Sequence, residues 1–169
     1  MKLNLGCGKK PMEGFVNVDY YDSCDMRVDL NVFPWPWDDG SIEEVYSCHW
    51  LEHVEDYERT IRETFRILRP NGVFHCRVPH HRAPSSVVMA HKWRFSTYTP
   101  RDLCAVLPYQ FEGRQLFYRG RVRLNFPHSR ALRILFSWVA NRRPLEWDIL
   151  GLPCEEVEFW VYKRPIERQ

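Results

Sequence analysis

Two short apolar runs at the start of the chain each end in residues typical of a ligand-binding sheet edge. The stretch LNLGCGKKPMEGFVNVDYY covers residues 3–21, and its first run stops at Gly6-Cys7-Gly8. Its second run stops at Asp19, only 11 residues after Gly8. Ligands of open α/β sheets bind outside the carboxyl ends of parallel strands. The stretch therefore predicts two neighbouring strands whose ends hold one ligand.

The spacing argues against a dinucleotide. The pattern G-x-G-x-x-G would need a third glycine at position 11, which is Pro11, and an acid about 20 residues further on. Glycine lets the backbone come close to a ligand, and an acid can accept two hydrogen bonds from a ribose diol. The stretch therefore predicts a site for a nucleoside without phosphates, such as S-adenosylmethionine.

The following segments alternate between strand and helix patterns. Strands are predicted over 2–5, 15–18, 26–30, 45–48 and 73–78, with an amphipathic helix from 51 to 68 before the last of them. A helix over 99–107, a strand over 111–124, an apolar helix over 129–141 and an alternating strand over 156–162 complete the chain. This order indicates a mostly parallel α/β sheet.

Composition limits the class of protein. The chain has 169 residues, of which 44% are hydrophobic, so one domain with one core is expected. Six cysteines without a C-x-x-C pair argue against a zinc knuckle and a disulfide framework. The sequence has no signal-peptide pattern and no apolar run of the length of a membrane span. We expect a soluble, cytoplasmic protein.

Two later segments carry a family resemblance. PWDDGSIEEVYSCHWLEHV, residues 36–54, and ETFRILRPNGVFHCRVP, residues 63–79, resemble consecutive motifs of class I S-adenosylmethionine-dependent methyltransferases. With LNLGCG, the three motifs occur in that family's order and cover about the first 80 residues. The nearest subgroup is the small, type 11-like one with a contracted first helix.

The resemblance implies a fold, a cofactor and a division of the chain. The fold is a Rossmann-like sandwich with a seven-stranded, mostly parallel sheet and an antiparallel last strand. S-adenosylmethionine is the cofactor and S-adenosylhomocysteine the product. Residues 1–169 form a single domain, in which 1–80 bind the cofactor and 81–169 form the substrate side.

By the same resemblance, the glycine turn meets the methionine end, Asp19 holds the ribose, and Asp29 with Leu30 borders the adenine. Cys48 and His49 close the pocket near the methyl group. The full set of residues expected to bind the cofactor is Gly6, Cys7, Gly8, Asp19, Tyr20, Asp29, Leu30, Cys48 and His49.

Two histidines are candidate catalytic bases. His81 follows the fifth strand directly, and His91 opens HKWRFSTYTP, which resembles the stretch after that strand in many relatives. Histidine is the usual base near neutral pH. With His80, these residues could also hold a metal, but no acid or cysteine lies at ligand spacing nearby, so no metal site is expected.

The acceptor stays open. We expect a small-molecule or sugar-like acceptor, methylated on oxygen, because few residues follow the cofactor half. From 110 to 145 the chain has eight arginines and one acid, so a nucleic acid or a protein is an alternative acceptor. A non-catalytic cofactor-binding scaffold is the other alternative. The basic helical segment, about 127–144, could dock on its own domain, form a homodimer, or contact a membrane surface through 129–143.

Overall fold

The computed structural model describes residues 1–21, 24–105, 115–126, 136–151 and 154–164, and seven strands in these ranges form one sheet. The strands are β1 (Lys2–Leu5), β2 (Val16–Asp19), β3 (Met26–Arg27), β4 (Ile42–Cys48), β5 (Leu68–Pro79), β6 (Phe117–Asn125) and β7 (Glu156–Lys163). Their order is β3-β2-β1-β4-β5-β7-β6, and β7 runs antiparallel to both neighbours while the other pairs are parallel. The predicted sheet is confirmed.

Three helices have both ends in the described ranges: α1 (Tyr57–Ile67), α2 (Thr99–Leu103) and α3 (Pro144–Ile149). The predicted helix over 99–107 is therefore shorter, and its positions 106–107 lie outside the described residues. The predicted strand over 111–124 begins at Phe117, with 111–114 also outside. No helix in the described part is long and apolar enough to cross a membrane.

The end of the predicted basic helical segment docks on the edge strand β6. Residues 136–140 are helical, whereas 127–135 lie outside the described part of the chain. The Asn141 side chain donates to Leu124 O at 3.0 Å and accepts from Leu124 N at 2.7 Å. Ala140 is fully buried. This part of the segment thus satisfies backbone groups of β6 on its own domain.

Helix α1 begins later than predicted. Leu51–His53 form one turn of 3-10 helix, and Val54 then adopts an extended conformation. Asp56 caps α1 by accepting a hydrogen bond from Arg59 N at 2.9 Å. The periodicity predicted a continuous helix because Leu51 and Val54 are apolar at helical spacing. Both are buried, but they belong to the 3-10 turn and the residue after it, and not to α1.

Strand β5 begins earlier than predicted. It starts at Leu68, directly after α1, and not at Val73. Its pairing with β4 jumps from Ile42↔Leu68 to Glu44↔Val73, which leaves a wide bulge around Asn71 at φ 61°. The Pro-Asn-Gly signal marks this bulge inside the strand and not a loop between helix and strand.

Strand β3 is shorter than predicted. Only Met26–Arg27 pair with β2, although the prediction extended to position 30. The Asp29 carboxylate accepts a hydrogen bond from Asn31 N at 3.0 Å, and Asp29 O accepts from Val32 N at 3.1 Å. These two bonds form a turn that ends the strand.

The connection between β1 and β2 contains no helix, so the contraction expected for the first helix is complete. Residues 6–15 form only turns. Two buried asparagines on neighbouring strands hold them: Asn4 Nδ2 donates to Asn17 Oδ1 at 2.8 Å and to Lys10 O at 3.2 Å. Asn17 Oδ1 also accepts from Met12 N at 2.7 Å. Side-chain amides thus supply the hydrogen bonds that position this connection.

The two faces of the sheet differ in polarity. One face carries the core, which α1 covers with the buried side chains of Ile61 and Ile67. Because side chains alternate along a strand, the opposite face carries polar and aromatic residues. His75 packs there between Tyr46 and Trp160, with ring centroids 4.8 and 4.5 Å apart. The buried core is therefore concentrated on the α1 side.

Candidate active site

The glycine turn after β1 is built against β2 and Trp50. Gly6 and Gly8 adopt left-handed conformations at φ 64° and 51°. Gly6 N and Cys7 N both donate to Val18 O, at 2.9 and 3.2 Å. A Cβ on Gly6 would lie 2.1 Å from Trp50 Cγ, whereas nothing lies within 4 Å of a Cβ on Gly8. Gly6 is therefore required for packing, whereas the space beside the α-carbon of Gly8 is open.

Asp19, at the end of β2, is hydrogen-bonded to this turn. Its Oδ2 accepts from Gly8 N at 2.8 Å, and its Oδ1 accepts from Tyr20 N at 2.7 Å. The Tyr20 side chain is exposed, and the Arg27 guanidinium lies 5.2 Å from its ring. Each carboxylate oxygen has two lone pairs, so Asp19 retains acceptor capacity. The structure thus brings together two of the predicted cofactor residues.

A cavity of about 260 Å³ opens beside the turn, at the carboxyl edge of the sheet. Four of the predicted cofactor residues line it: Gly6, Cys7, Cys48 and His49. The remaining lining residues are Asn4, Lys10, Pro11, Met12, Tyr46, Arg77 and Glu156. The predicted residues that do not line it are Gly8, Asp19, Tyr20, Asp29 and Leu30. The predicted set is therefore split between the cavity and the adjacent ends of β2 and β3.

Leu30 and Cys7 have mainly apolar surroundings. Leu30 is buried in the core, and its carbonyl oxygen accepts from Trp35 Nε1 at 3.0 Å. Burial raises the pKa of the Cys7 thiol to about 11. Cys7 is therefore protonated at neutral pH and does not serve as a nucleophile.

Four charged side chains meet at one wall of the cavity. His49 Nε2 lies 2.7 Å from Glu156 Oε1, and His49 Nδ1 lies 3.3 Å from Glu52 Oε1. Arg77 donates to Glu156 Oε2 at 2.6 Å. The hydrogen bond with Glu156 raises the pKa of His49 to about 10, and the same bond lowers the pKa of Glu156 to about 2. His49 is therefore a protonated donor at neutral pH and cannot take a proton from a substrate.

Sequence analysis did not select Arg77 and Glu156. The alternating pattern of β7 places Glu156 and Glu158 on one face, but it does not say which strand lies beside them. That follows only from the antiparallel register with β5, in which Arg77 is opposite Glu158 and Pro79 opposite Glu156. The sequence therefore predicts the face on which Glu156 lies, but it does not predict that β5 pairs with β7 and brings Arg77 close to it.

His81, the first candidate base, lies beside Asp148 of α3. Its Nε2 is 3.9 Å from Asp148 Oδ1, and its backbone N–H donates to Phe95 O at 2.7 Å. His80 is fully buried, with Nε2 3.3 Å from the same oxygen. Asp148 Oδ2 accepts from N and Oγ1 of Thr97, at 2.9 and 2.7 Å. Asp148, which sequence analysis also missed, thus holds the histidine pair.

His91, the second candidate base, lies in a different cluster with Glu52 and His53. The rings of His53 and His91 meet edge-on, with centroids 4.7 Å apart. Burial lowers the pKa of His91, which favours the neutral imidazole. The structure therefore separates the two predicted bases.

A family model for a methyltransferase domain matches residues 16–76. The matched segment runs from β2 into β5 and includes Asp19, Cys48 and His49. No curated protein matches the chain in sequence.

Solved structures match the fold over nearly the whole chain. A methyltransferase from Thermotoga maritima has a TM-score of 0.63 at 16% identity, covering 96% of this chain and 82% of that chain. Phosphoethanolamine N-methyltransferase 2 from Haemonchus contortus, in complex with S-adenosylmethionine, has a TM-score of 0.59 at 12% identity, covering 97% and 48%. A Haloferax volcanii chain in complex with the Trm112 methyltransferase activator has a TM-score of 0.55 at 17% identity, covering 96% and 82%.

The sheet order and the family match together define the class of protein. The chain has the class I methyltransferase fold, and it carries the methyltransferase-domain sequence from β2 to β5. The match over residues 16–76 is to a methyltransferase domain, and the solved structures that share the fold include methyltransferases.

Proposed function

We propose that the chain is an S-adenosylmethionine-dependent methyltransferase that transfers the methyl group to an oxygen atom of a small-molecule or sugar-like acceptor. One observation carries the cofactor side of the proposal: Gly8 N donates to Asp19 Oδ2 at 2.8 Å, which fixes the glycine turn and the strand-end acid side by side. The open space over Gly8 and the remaining acceptor capacity of Asp19 fit a ribose and an amino-acid group. Residues 1–80 bind the cofactor, and 81–169 shape the acceptor side of a single domain.

The remaining cofactor residues have roles that their positions support. Gly6 and Cys7 line the cavity and take the methionine end, while protonated His49 offers a donor at the same wall together with Cys48. The adenine lies toward β3 in this proposal, next to the three remaining cofactor residues, Tyr20, Asp29 and Leu30.

Methyl transfer to a hydroxyl group restricts which histidine can act as the general base. When bound, S-adenosylmethionine supplies a methyl group on a positively charged sulfur, and transfer depends on the orientation of the acceptor. A hydroxyl acceptor must lose its proton, so the base has to be a neutral imidazole that substrate can reach. His49 is excluded because its pKa is raised to about 10. His91, whose pKa is lowered, and His81, which is partly exposed beside Asp148, take this role in the proposal.

The experiment that tests the cofactor site is calorimetric titration with S-adenosylmethionine, S-adenosylhomocysteine and NADH. We expect micromolar binding of the first two and none of the third. Absence of binding to both adenosyl compounds in a folded sample would leave only the fold in common with methyltransferases. Binding without turnover of any acceptor in a panel of hydroxylated small molecules and sugars would favour the scaffold alternative.

The base is tested separately with His81→Gln and His91→Gln. A base variant should lose turnover by about 100-fold or more while the affinity for S-adenosylmethionine is retained. Equal loss of turnover and affinity would assign a structural role to that histidine. His75→Gln, which changes a strand histidine paired with Glu158, is the matched control.

A second candidate acceptor is an anionic macromolecule, and one feature favours it. A cavity of about 690 Å³ beside β6 is lined in part by Arg101, Arg121, Arg142 and Arg143. Such a cluster attracts phosphate groups, and binding that depends on it weakens steeply with salt. RNA binding that is strong at about 50 mM salt and falls by about 100-fold by 200 mM, as four phosphate contacts predict, would support this acceptor class. Absence of binding at the lower concentration would leave the small-molecule acceptor.

A further inference from the structure

Glu52, His53 and His91 form a cluster of which the proposed function uses only His91, as one of two candidate bases. A metal bound to His91 would leave His81 as the base. Glu52 and His53 belong to the 3-10 turn after β4, and His91 belongs to the loop after β5. One ligand atom from each side chain lies within 4.8 Å of the other two. The loop is held here because Lys92 N donates to Glu52 O at 2.8 Å. The three side chains therefore converge from two segments that are distant in sequence.

Glu52 contributes a buried carboxylate oxygen without a partner. The side chain is only 1% exposed. Its Oε1 contacts His49, but its Oε2 is buried and has no hydrogen-bond partner. His91 Nδ1 is likewise buried without a partner. An unsatisfied buried polar atom costs about 1–3 kcal/mol, and more if it is charged, so a ligand that contacts both atoms would stabilise the cluster.

His53 is oriented as metal-ligating histidines usually are. Its Nδ1 lies 3.1 Å from Ala90 O. A carbonyl oxygen can only accept, so Nδ1 carries the proton and Nε2 of the neutral ring keeps its lone pair. Histidines that bind metals typically donate their other ring N–H to a carbonyl or carboxylate in this way. The exposed position of His53 leaves the cluster reachable from solvent.

We propose that Glu52, His53 and His91 bind a divalent transition-metal ion, with Zn²⁺ as the best match to this donor set. Two imidazoles and one carboxylate are a three-ligand set that zinc uses when a fourth position stays open. Coordination by Glu52 Oε2 leaves the contact between Oε1 and His49 in place. The sequence predicted no metal because no acid lies near His91 along the chain. The acid comes from the turn after β4.

The second histidine cluster, His80, His81 and Asp148, does not qualify. His80 Nδ1 accepts from Arg82 N at 3.2 Å, so the proton of the neutral ring is on Nε2, which faces Asp148 Oδ1 at 3.3 Å. The lone pair that a metal would need on His80 Nε2 is therefore occupied by a proton, and this cluster provides the control.

The test is metal binding by the full chain without any acceptor or cofactor. Protein treated with a chelator is titrated with Zn²⁺ and, separately, with Co²⁺, whose absorption spectrum reports the ligands. We expect one ion per chain, a Co²⁺ spectrum without thiolate charge-transfer bands, and affinity weakened by about 100-fold or more in His53→Gln and His91→Gln. His81→Gln should bind like the unmodified protein.

Any of the following results would overturn the proposal: no ion bound at micromolar Zn²⁺, unchanged affinity in both His53→Gln and His91→Gln, or thiolate bands that assign the ion to cysteines. Circular dichroism checks that each variant is folded, and His53 is exposed, so its replacement leaves the core intact. Loss of binding in His81→Gln would move the ion to the other cluster and also overturn it. S-adenosylmethionine affinity is measured independently, so failure here leaves the proposed methyl transfer unaffected.

Discussion

Trp50 packs directly against the α-carbon of Gly6. A Cβ on Gly6 would lie 2.1 Å from Trp50 Cγ and 2.5 Å from Trp50 Cβ, far inside van der Waals contact. The contact joins the glycine turn after β1 to the segment that follows β4. The shape of the glycine turn, and of the proposed cofactor site beside it, therefore depends on a tryptophan that does not line the cavity.

Gly6→Ala should disrupt the site much more than Gly8→Ala. Both glycines have positive φ, which costs a non-glycine residue about 1–2 kcal/mol, but only Gly6 lacks room for a Cβ. We expect Gly6→Ala to lower the urea midpoint strongly and to abolish S-adenosylmethionine binding in calorimetry. Gly8→Ala should lose about 1–2 kcal/mol of stability. Equal effects of the two substitutions would contradict the packing argument.

Asp19→Ala should weaken S-adenosylmethionine binding. In the proposed site the carboxylate accepts charge-assisted hydrogen bonds from the ribose, and it also holds Gly8 N, so we expect a loss of about 1.5–3 kcal/mol in the calorimetric affinity. Asp38→Ala removes the same charge from an exposed position and should leave the affinity unchanged. Unchanged affinity in Asp19→Ala would exclude this residue from the ribose site.

His49→Gln should flatten the dependence of stability on alkaline pH. The pKa of His49 rises from 6.5 to about 10, so its stabilisation is complete below pH 6.5 and is lost as the pH rises toward 10. The pKa of Glu156 falls from 4.5 to about 2, so its share is present above pH 4.5 and is lost as the pH falls toward 2. We expect His49→Gln to lower the free energy of unfolding at pH 6.5 by about 1–3 kcal/mol, reduced by partial exposure.

The measurement for His49 is the urea midpoint between pH 6.5 and 10. The wild-type midpoint should fall across this range, and the fall should be smaller in His49→Gln. His75→Gln, on the same sheet face and paired with Glu158, should keep the wild-type slope. Equal slopes in the wild type and His49→Gln would show that the ion pair with Glu156 does not form in solution.

Asp148→Ala should destabilise the chain more than Glu146→Ala on the same helix. Asp148 is 4% exposed and accepts two hydrogen bonds from Thr97, so its removal leaves a buried N–H and hydroxyl unpaired. We expect a loss of about 2–5 kcal/mol in the free energy of unfolding, measured in urea. Glu146, paired with Arg143 at the surface, should contribute less than about 1 kcal/mol. Similar losses in both would indicate that the Asp148 contacts are not formed.

The fold of the first half could be predicted because its signals are local. Strand β1 is followed directly by Gly6, and β2 ends at Asp19. The residues that indicate the end of each strand are therefore next to it in the sequence. The start of α1 was misplaced because burial of Leu51 has the same sequence pattern whether it comes from a helix or from a turn. Element type follows from periodicity, whereas exact bounds follow from capping contacts.

The missed site residues have a different cause. Arg77, Glu156 and Asp148 become site residues only through strand register and the docking of α3. Glu52 likewise meets His91 because a loop folds back over the turn after β4. Residues so far apart in sequence leave no periodic signal, and tertiary packing alone brings them together.

The missing helix between β1 and β2 also bears on how the chain folds. Parallel strands usually need a crossover of a dozen or more residues, yet Leu3 pairs with Val16 across a ten-residue connection, 6–15. A shorter loop loses less entropy on closure, and closing about ten residues takes on the order of 10–100 ns. The parallel pair β2–β3 has a still shorter connection, 20–25, so the three strands β1, β2 and β3 can pair with little loss of loop entropy. We expect them to pair early, so that the glycine turn and Asp19 meet before the distant strand β7 completes the sheet.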